Sequence, residues 1–341
     1  MYSNLQSQMK SKGLFVITSV YHILLSILLI EERQLKNNIL VIVEITPDID
    51  SLIEGLKKTT WFDDVFLMIG RKSQKKLAGK LTYTLNRKKI VAYVDAKNKN
   101  LMALKNGASD HDIYICSPDS AKNYFIYKYK NHNKFMIEDG LKTYVTPAPT
   151  TLKKIISTIV NRPLVNGFDK RITKVFATTP NDLPKQLRVK SEKLNWKTTL
   201  SNLSLEKLNT LSSVFLPSIK LNEKGLFPNN KTKSIIITQT LNEDGVIELE
   251  STKIDIYKDF VNQANTDLIY IKPHPREITD YKNLFKDDKR IIVLPKLFPA
   301  ELLNLLPNLK FKKAFTAFST AIDNLALVEE KVILGHNYFK K

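Results

Sequence analysis

The sequence predicts an α/β protein built from two doubly wound, Rossmann-like domains. Three observations predict it. Short, unbroken apolar runs alternate with stretches of helical length, the pattern of parallel strands covered on both faces. A second series of such runs starts afresh after Asn229-Asn230-Lys231-Thr232-Lys233, which reads as a linker. A length of 341 residues also exceeds what one hydrophobic core usually organises. The expected domains are 1–220 and 221–341, with a cleft between them and ligands at the C-terminal strand ends.

The elements follow in order. LFVIT (14–18) is the first strand, and HILLSILLIEERQL (22–35) the helix after it. NILVIVEI (38–45) is the second strand, and residues 50–58 a helix. DDVFLMIG (63–70), KIVAYVDA (89–96) and HDIYICSP (111–118) are further strands. KFMIEDG (134–140) is another, ending in two carboxylates and a glycine. The stretch 144–233 is less regular, because prolines at 147, 149, 163, 180, 184, 217 and 228 interrupt long helices. Within it, TLKKIISTIV (151–160) has the spacing of an amphipathic helix and RITKVFATTP (171–180) that of a strand. The second series comprises strands at 234–241, 267–275, 290–295, 312–320 and 331–336, with helices at 251–265, 299–307 (PAELLNLLP) and 321–330 (AIDNLALVEE). No internal repeat is found.

Composition narrows the function. A single cysteine, Cys116, excludes an intramolecular disulfide framework and a multi-cysteine zinc site. The five histidines, His22, His111, His132, His274 and His336, are scattered, and no HExxH motif occurs, so no metal site is expected. The longest apolar stretch, 14–30, carries Thr18, Ser19, Tyr21, His22 and Ser26 at its middle, which argues against a membrane span. With no signal-peptide pattern either, the expected location is the cytoplasm. The formal charge is +19, from 53 basic and 34 acidic residues. It is uneven: +8 over 1–150 (22 basic, 14 acidic), +10 over 151–231 (15 and 5) and +1 over 232–341 (16 and 15). Such a surface suits nucleic acid, anionic lipid or an acidic substrate; a generally lysine-rich composition is the plainer reading.

Four features sit where strands end. Glu138-Asp139-Gly140 places two carboxylates where a buried run emerges, and one could act as a general base; an ordinary polar loop is the alternative. Lys272-Pro273-His274-Pro275-Arg276 fixes one histidine between two prolines amid positive charge, which suits a phosphate; a rigid surface loop is the alternative. Ser319 and Thr320 stand between a strand and a helix, where hydroxyls and free amides can bind a phosphate or simply cap the helix. Glu301 falls at the start of a helix, where it could hold a ribose diol or complement the helix dipole. Poorer candidates are Asp110-His111-Asp112, which precedes a strand; His22, which faces either the cleft or the core; and Cys116, read as core.

Their order carries a resemblance: EDG (138–140), then KPHP (272–275), then Ser319-Thr320. With Thr18-Ser19-Val20-Tyr21-His22, the stretch Thr238–Gly245 containing Gln239 and Thr240, and Phe298-Pro299-Ala300-Glu301, the chain resembles bacterial sialyltransferases of the lipooligosaccharide and capsule type, related to polysialyltransferases. The likeness touches both halves but not 144–230. It implies a GT-B fold and CMP-sialic acid as donor substrate, with no cofactor and no metal. It assigns Asp139 as general base with Glu138 beside it, and His274 as the group at the donor phosphate and candidate acid. Lys272, Pro273, Gln239, Thr240, Ser319 and Thr320 become donor-binding residues, Glu301 holds the ribose, and the 295–298 backbone faces cytosine. The acceptor would be a sugar hydroxyl, galactose first, of a surface glycan that a lipid could carry.

Two rival readings remain. One is a GT-B transferase for another activated unit, such as a different CMP-linked nonulosonic acid, CMP-Kdo or CDP-glycerol. The other is a basic nucleic-acid or lipid-binding protein without catalysis; no nucleic-acid motif supports it. Basic, amphipathic 151–160 also predicts peripheral association with the inner face of the cell membrane, against packing at the interdomain hinge. The sequence leaves the oligomeric state open.

Overall fold

A computed structural model describes residues 12–43, 49–68, 83–102, 104, 108–116, 120–215, 226–306 and 309–339. The chain divides into two compact units, Met1–Leu203 and Ser204–Lys341. The boundary expected at 220/221 lies outside the described residues.

The first unit holds a seven-stranded parallel sheet in the order β3-β2-β1-β4-β5-β6-β7. Its strands are β1 (Gly13–Ile17), β2 (Ile39–Val43), β3 (Asp64–Met68), β4 (Asp112–Ile115), β5 (Lys134–Ile137), β6 (Lys174–Ala177) and β7 (Ser191–Lys193). Every residue of β1, β2, β4 and β5 is buried, as unbroken apolar runs require when helices cover both faces. An aromatic row, Phe15, Tyr114, Phe135 and Phe176, crosses four neighbouring strands, with centroids 4.7 Å apart for the first pair, 5.3 Å for the second and 6.1 Å for the third. The helices are α1 (Val20–Arg33), α2 (Asp50–Lys57), α3 (Tyr83–Lys97), α4 (Ser120–Lys128), α5 (Leu141–Val145), α6 (Thr151–Ile159), α7 (Lys185–Arg188) and α8 (Trp196–Ser201). Helix α1 starts where Ser19 Oγ accepts the His22 amide at 3.2 Å.

The second unit holds a five-stranded parallel sheet in the order β10-β9-β8-β11-β12. Its strands are β8 (Lys233–Ile237), β9 (Leu268–Lys272), β10 (Ile291–Val293), β11 (Phe311–Thr316) and β12 (Val328–Ile333), with helices α9 (Leu205–Phe215), α10 (Glu250–Gln263), α11 (Tyr281–Leu284) and α12 (Ala321–Asn324). Its core packs Tyr257 and Phe260 of α10 against Ile236, Ile269, Ile271 and Phe315 of the sheet. In each sheet the strand order reverses beside the first strand, at β1/β4 and at β8/β11. These are the topological switch points where open parallel sheets bind ligands. Both Rossmann-like units that the GT-B expectation requires are present.

Three expected elements differ, and one strand was not expected. KIVAYVDA (89–96) is not a strand but lies in α3, because Ile90 and Val94, one helical turn apart, are the positions it buries. Where an α-helix is expected over 299–307, Pro299 leads into a 3₁₀ turn, Ala300–Leu305, and residue 307 lies outside the described residues. The helix expected over 321–330 stops at Asn324, because Val328 must pair with Phe311 to start the edge strand β12. Strand β7, polar and three residues long, was not anticipated; short charged strands are what sheet edges use. Residues 44–45, 69–70 and 117–118 of three expected strands lie outside the described residues.

Candidate functional site

The EDG turn leaves β5 in the first unit, and its two carboxylates do different things. Glu138 is buried. Its carboxylate accepts from the Tyr21 hydroxyl at 2.9 Å, from the Tyr144 hydroxyl, and from the amide and hydroxyl of Thr178 at 2.7 and 3.0 Å. It therefore ties together α1, α5 and the end of β6. Asp139 is one-fifth exposed (21%), and its Oδ1 stands 3.0 Å from Nε2 of His22, whose side chain is 2% exposed. His22 Nδ1 lies 3.3 Å from Thr18 Oγ1, so threonine, histidine and aspartate form one chain from β1's end to β5's end. The Asp139 amide donates to Thr143 Oγ1 at 2.6 Å. Gly140 permits the turn: φ is 58° and ψ −146°, a region a side chain adopts only under strain. Sequence reasoning left His22 open between cleft and core. It is buried, yet it contacts the candidate base. The signal that could have found it is its place one turn after a buried strand beside the switch point.

In the second unit the ends of β8, β9 and β11 gather the other candidates. At the switch point, Gln239 Oε1 accepts the Phe318 amide at 2.7 Å, fastening β8 to the loop after β11. The Gln239 amide in turn donates to the Tyr257 hydroxyl at 2.7 Å. His274 follows β9. Its amide donates to Glu277 Oε2 at 2.7 Å, and its Nδ1 accepts the Arg276 amide at 3.2 Å. Desolvation first, then the charges of Arg276 and Lys272, lower its pKa to about 4. His274 is therefore neutral near pH 7, and with Nδ1 accepting, its proton sits on Nε2. It can donate one hydrogen bond but is not poised as a charged acid.

Lys272 is buried, its Nζ donating to the carbonyls of Pro273 (2.5 Å) and Lys296 (3.1 Å). It clamps the loop after β10 to the end of β9. Burial lowers its pKa to about 8, with Glu277 and Glu301 opposing. Thr240 Oγ1 donates to Asp244 Oδ2 at 2.5 Å, and Arg276 forks onto the same carboxylate with two contacts of 2.7 Å. Among the expected donor-binding residues, Lys272, Thr240 and Gln239 thus each hold another part of the chain. Buried Glu277, absent from the sequence reading, organises the loop: it accepts from the His274 amide, from the Thr238 hydroxyl and, at 2.7 Å, from the Tyr281 hydroxyl.

Ser319 and Thr320 are half-buried before α12. The Ser319 hydroxyl accepts the Ala321 amide at 3.3 Å, and Thr320's side chain caps nothing. Glu301 is buried, with Oε1 accepting from Asn324 Nδ2 at 2.9 Å. Asp112 is buried and accepts from Asn133 Nδ2 at 2.9 Å, while Asp110 pairs with Lys12 at 2.7 Å. That DxD is structural. Cys116 is buried, and burial pushes its thiol well up, away from nucleophilic use. Among the described residues no three His, Cys, Asp or Glu side chains converge as a metal-binding group.

Two parallel α/β units with polar clusters at their strand ends define a protein of the Rossmann-like, two-unit class. The chain belongs to glycosyltransferase family 52, whose family model matches residues 58–334. It is 31% identical over 188 residues to an uncharacterized protein of Haemophilus influenzae, a match covering 55% of this chain and 57% of that relative's length. Among solved structures it is similar to a UDP-GlcNAc 2-epimerase from Neisseria meningitidis bound to UDP-GlcNAc (TM-score 0.46, 13% identity, 91% of this chain, 78% of that one). It is also similar to a UDP-GlcNAc 2-epimerase from Methanocaldococcus jannaschii in complex with UDP-GlcNAc and UDP (TM-score 0.43, 13% identity, 95% and 89%). No helix among the described residues is long and apolar enough to cross a membrane.

Proposed function

We propose that the chain is an inverting sialyltransferase, moving sialic acid from CMP-sialic acid to a sugar hydroxyl of a bacterial surface glycan, galactose first. Membership of glycosyltransferase family 52 supports the reaction class. The observation that carries the mechanism is Asp139, a partly exposed carboxylate at a strand end with one oxygen held by a buried histidine. With Oδ1 on His22, Oδ2 is left to take the acceptor proton as the acceptor oxygen attacks the anomeric carbon. The sugar–phosphate bond breaks in the same displacement, and CMP carries the electron pair away. His274, through its Nε2 proton, and the hydroxyls of Ser319 and Thr320 donate to the leaving phosphate. A monophosphate leaving group carries less total charge than a nucleoside diphosphate, so neutral donors can stabilise it without a metal. Glu301 accepts from the ribose. Gln239, Thr240, Lys272 and Pro273 shape the donor site through the loops they hold, and Glu138 braces the turn that aims Asp139.

The test is incubation with CMP-sialic acid and a galactoside panel, with and without EDTA. CMP-Kdo, CDP-glycerol and other CMP-linked nonulosonic acids serve as rival donors. Transfer that survives chelation supports the reading. Loss with EDTA and recovery with Mg²⁺ would overturn the leaving-group account, and preference for a rival donor would overturn the substrate.

A further inference from the structure

An open hollow of about 740 Å³ lies between α3 and α4, within the size range of sites that take a small ligand. Its lining carries four cations, Arg87, Lys88, Lys128 and Lys130, against one carboxylate, Asp95. Only one of the four is matched. Lys128 pairs with Asp95 Oδ1 at 2.6 Å, and the Tyr124 hydroxyl donates to the same oxygen at 2.8 Å. The side chains of Arg87, Lys88 and Lys130 have no ion-pair or hydrogen-bond partner among the described residues.

The rim of the hollow is fixed in place. In the turn that leads from α4 into β5, His132 Nε2 donates to the Ala108 carbonyl at 2.9 Å and Asn133 Nδ2 to Asp112 Oδ1 at 2.9 Å. Buried Lys134 donates from Nζ to the carbonyls of Lys130 and His132 at 3.2 and 2.8 Å. Lys130 and Asn131 are thus exposed on a backbone that is held at both ends of the turn. The Tyr129 side chain is 7% exposed and lines the hollow, yet its hydroxyl is buried with no hydrogen-bond partner among the described residues. Buried polar groups are nearly always paired, within the protein or with something bound to it.

Three observations select the ligand. Three unmatched cations on two elements call for at least two negative charges. A compact inorganic anion would meet the Asp95 carboxylate among those cations. A ligand with hydroxyls can instead donate to Asp95 Oδ2, which has no partner among the described residues. A nucleotide or a nucleic acid would want an aromatic face to stack on, but Tyr127 and Tyr129 are 5% and 7% exposed, so neither ring is open. An anionic sugar satisfies all three.

We propose that this hollow binds an anionic saccharide, a sugar carrying phosphate or carboxylate groups, at a second site separate from the strand-end centre. Arg87, Lys88 and Lys130 take the charged groups, and Asp95 and Asn131 take the hydroxyls. The turn that forms the rim precedes β5 and Asp139 follows it, so the two lie at opposite ends of that strand, roughly 20 Å apart at the strand rise. The site is argued without the reaction. One consequence rests on the proposed function: an acceptor glycan with a charged group would be held here while another part reached Asp139, gaining affinity by two-point attachment.

The experiment is titration calorimetry of the full chain with trigalacturonate, glucose 1,6-bisphosphate, neutral maltotriose and inorganic pyrophosphate. Each is titrated at low and high salt, with and without excess CMP. Glycosyl transfer is not the readout, so failure here leaves the proposed function untouched. Saturable binding of either charged sugar supports the proposal, and the better of the two distinguishes carboxylate from phosphate. Maltotriose should not bind, and high salt should weaken the charged sugar at least about tenfold. Arg87→Gln/Lys88→Gln/Lys130→Gln should lose at least about tenfold in affinity and melt like the wild type, since none of the three side chains is paired. Absence of binding by both charged sugars at low salt overturns the proposal. So does binding that the triple variant leaves intact, and so does pyrophosphate binding as tightly as the better sugar. Displacement of the sugar by CMP would place it in the donor centre and overturn the separate site.

Discussion

Glu138 and Asp139 are adjacent, yet the structure separates their contributions, and substitution should separate them too. Glu138→Ala removes the acceptor for the hydroxyls of Tyr21 and Tyr144 and for both donors of Thr178. An unmade buried hydrogen bond costs about 1–3 kcal/mol. The Tyr144 hydroxyl can fall back on Thr178 Oγ1, 3.2 Å away, so the full sum is not reached. The expected loss is about 3–5 kcal/mol, which for a domain of roughly 150–250 residues lowers Tm by about 6–20 °C. Glu138→Gln keeps the shape and one acceptor oxygen and should fall between. Asp139→Asn keeps an oxygen for His22 at a partly exposed position, so stability should change by less than about 1 kcal/mol. Turnover should nevertheless fall by roughly 10²–10⁴ through loss of the base, with CMP affinity unchanged. Calorimetric melting of the three variants, paired with initial rates, reads both effects. If Glu138→Ala melted within about 2 °C of the wild type, or Asp139→Asn melted as low as Glu138→Ala, the division of labour would be refuted.

Further outcomes follow from the same geometry. His22→Asn should cut turnover by about 10²-fold through a misplaced Asp139, with CMP binding intact; near-normal turnover would remove His22 from the site. His274 has a folded pKa near 4, below the unfolded value of 6.5. As pH falls from about 6.5 to 4 the unfolded chain takes a proton that the folded chain refuses, so stability drops across that window. His274→Asn should flatten that part of the Tm–pH curve, and an unchanged slope would contradict the half-buried, neutral ring. Lys272→Met should leave the Pro273 and Lys296 carbonyls without their donor and weaken CMP binding about tenfold or more, as titration calorimetry would show.

Much of the fold was legible because parallel strands announce themselves. LFVI (14–17), III (235–237) and LIYI (268–271) are unbroken apolar runs of strand length, which suit a parallel sheet covered on both faces. The misreadings share one cause. KIVAYVDA satisfies a strand pattern over a few residues, and only the burial of Ile90 and Val94, four residues apart, shows the helical period. The segment 321–330 holds a helix start and the beginning of an edge strand. Its alternation is blurred because β12 is half exposed and carries Glu329, Glu330 and Lys331. Strand β7 has no apolar residue at all. Local pattern fails where an element lies at an edge or is shorter than the window that would define it.

The site was legible as a set of positions but not as a set of roles. Position at strand ends and helix starts picks out Glu138, Asp139, Lys272, His274 and Glu301, and the family resemblance adds Gln239. What each does depends on partners far away in sequence: Tyr21 and Thr178 for Glu138, His22 for Asp139, Lys296 for Lys272, Asn324 for Glu301. Those partners divide the candidates physically. A buried carboxylate with four donors already on it is committed to holding the chain together. A carboxylate one-fifth exposed, with one oxygen fixed and one open, can exchange a proton without unfolding its surroundings. Likewise a histidine whose Nδ1 accepts a backbone amide has only Nε2 to offer, and burial between two cations keeps it neutral. Chemistry at such a strand end is then set less by which residues are present than by which of their atoms the fold has left unpaired.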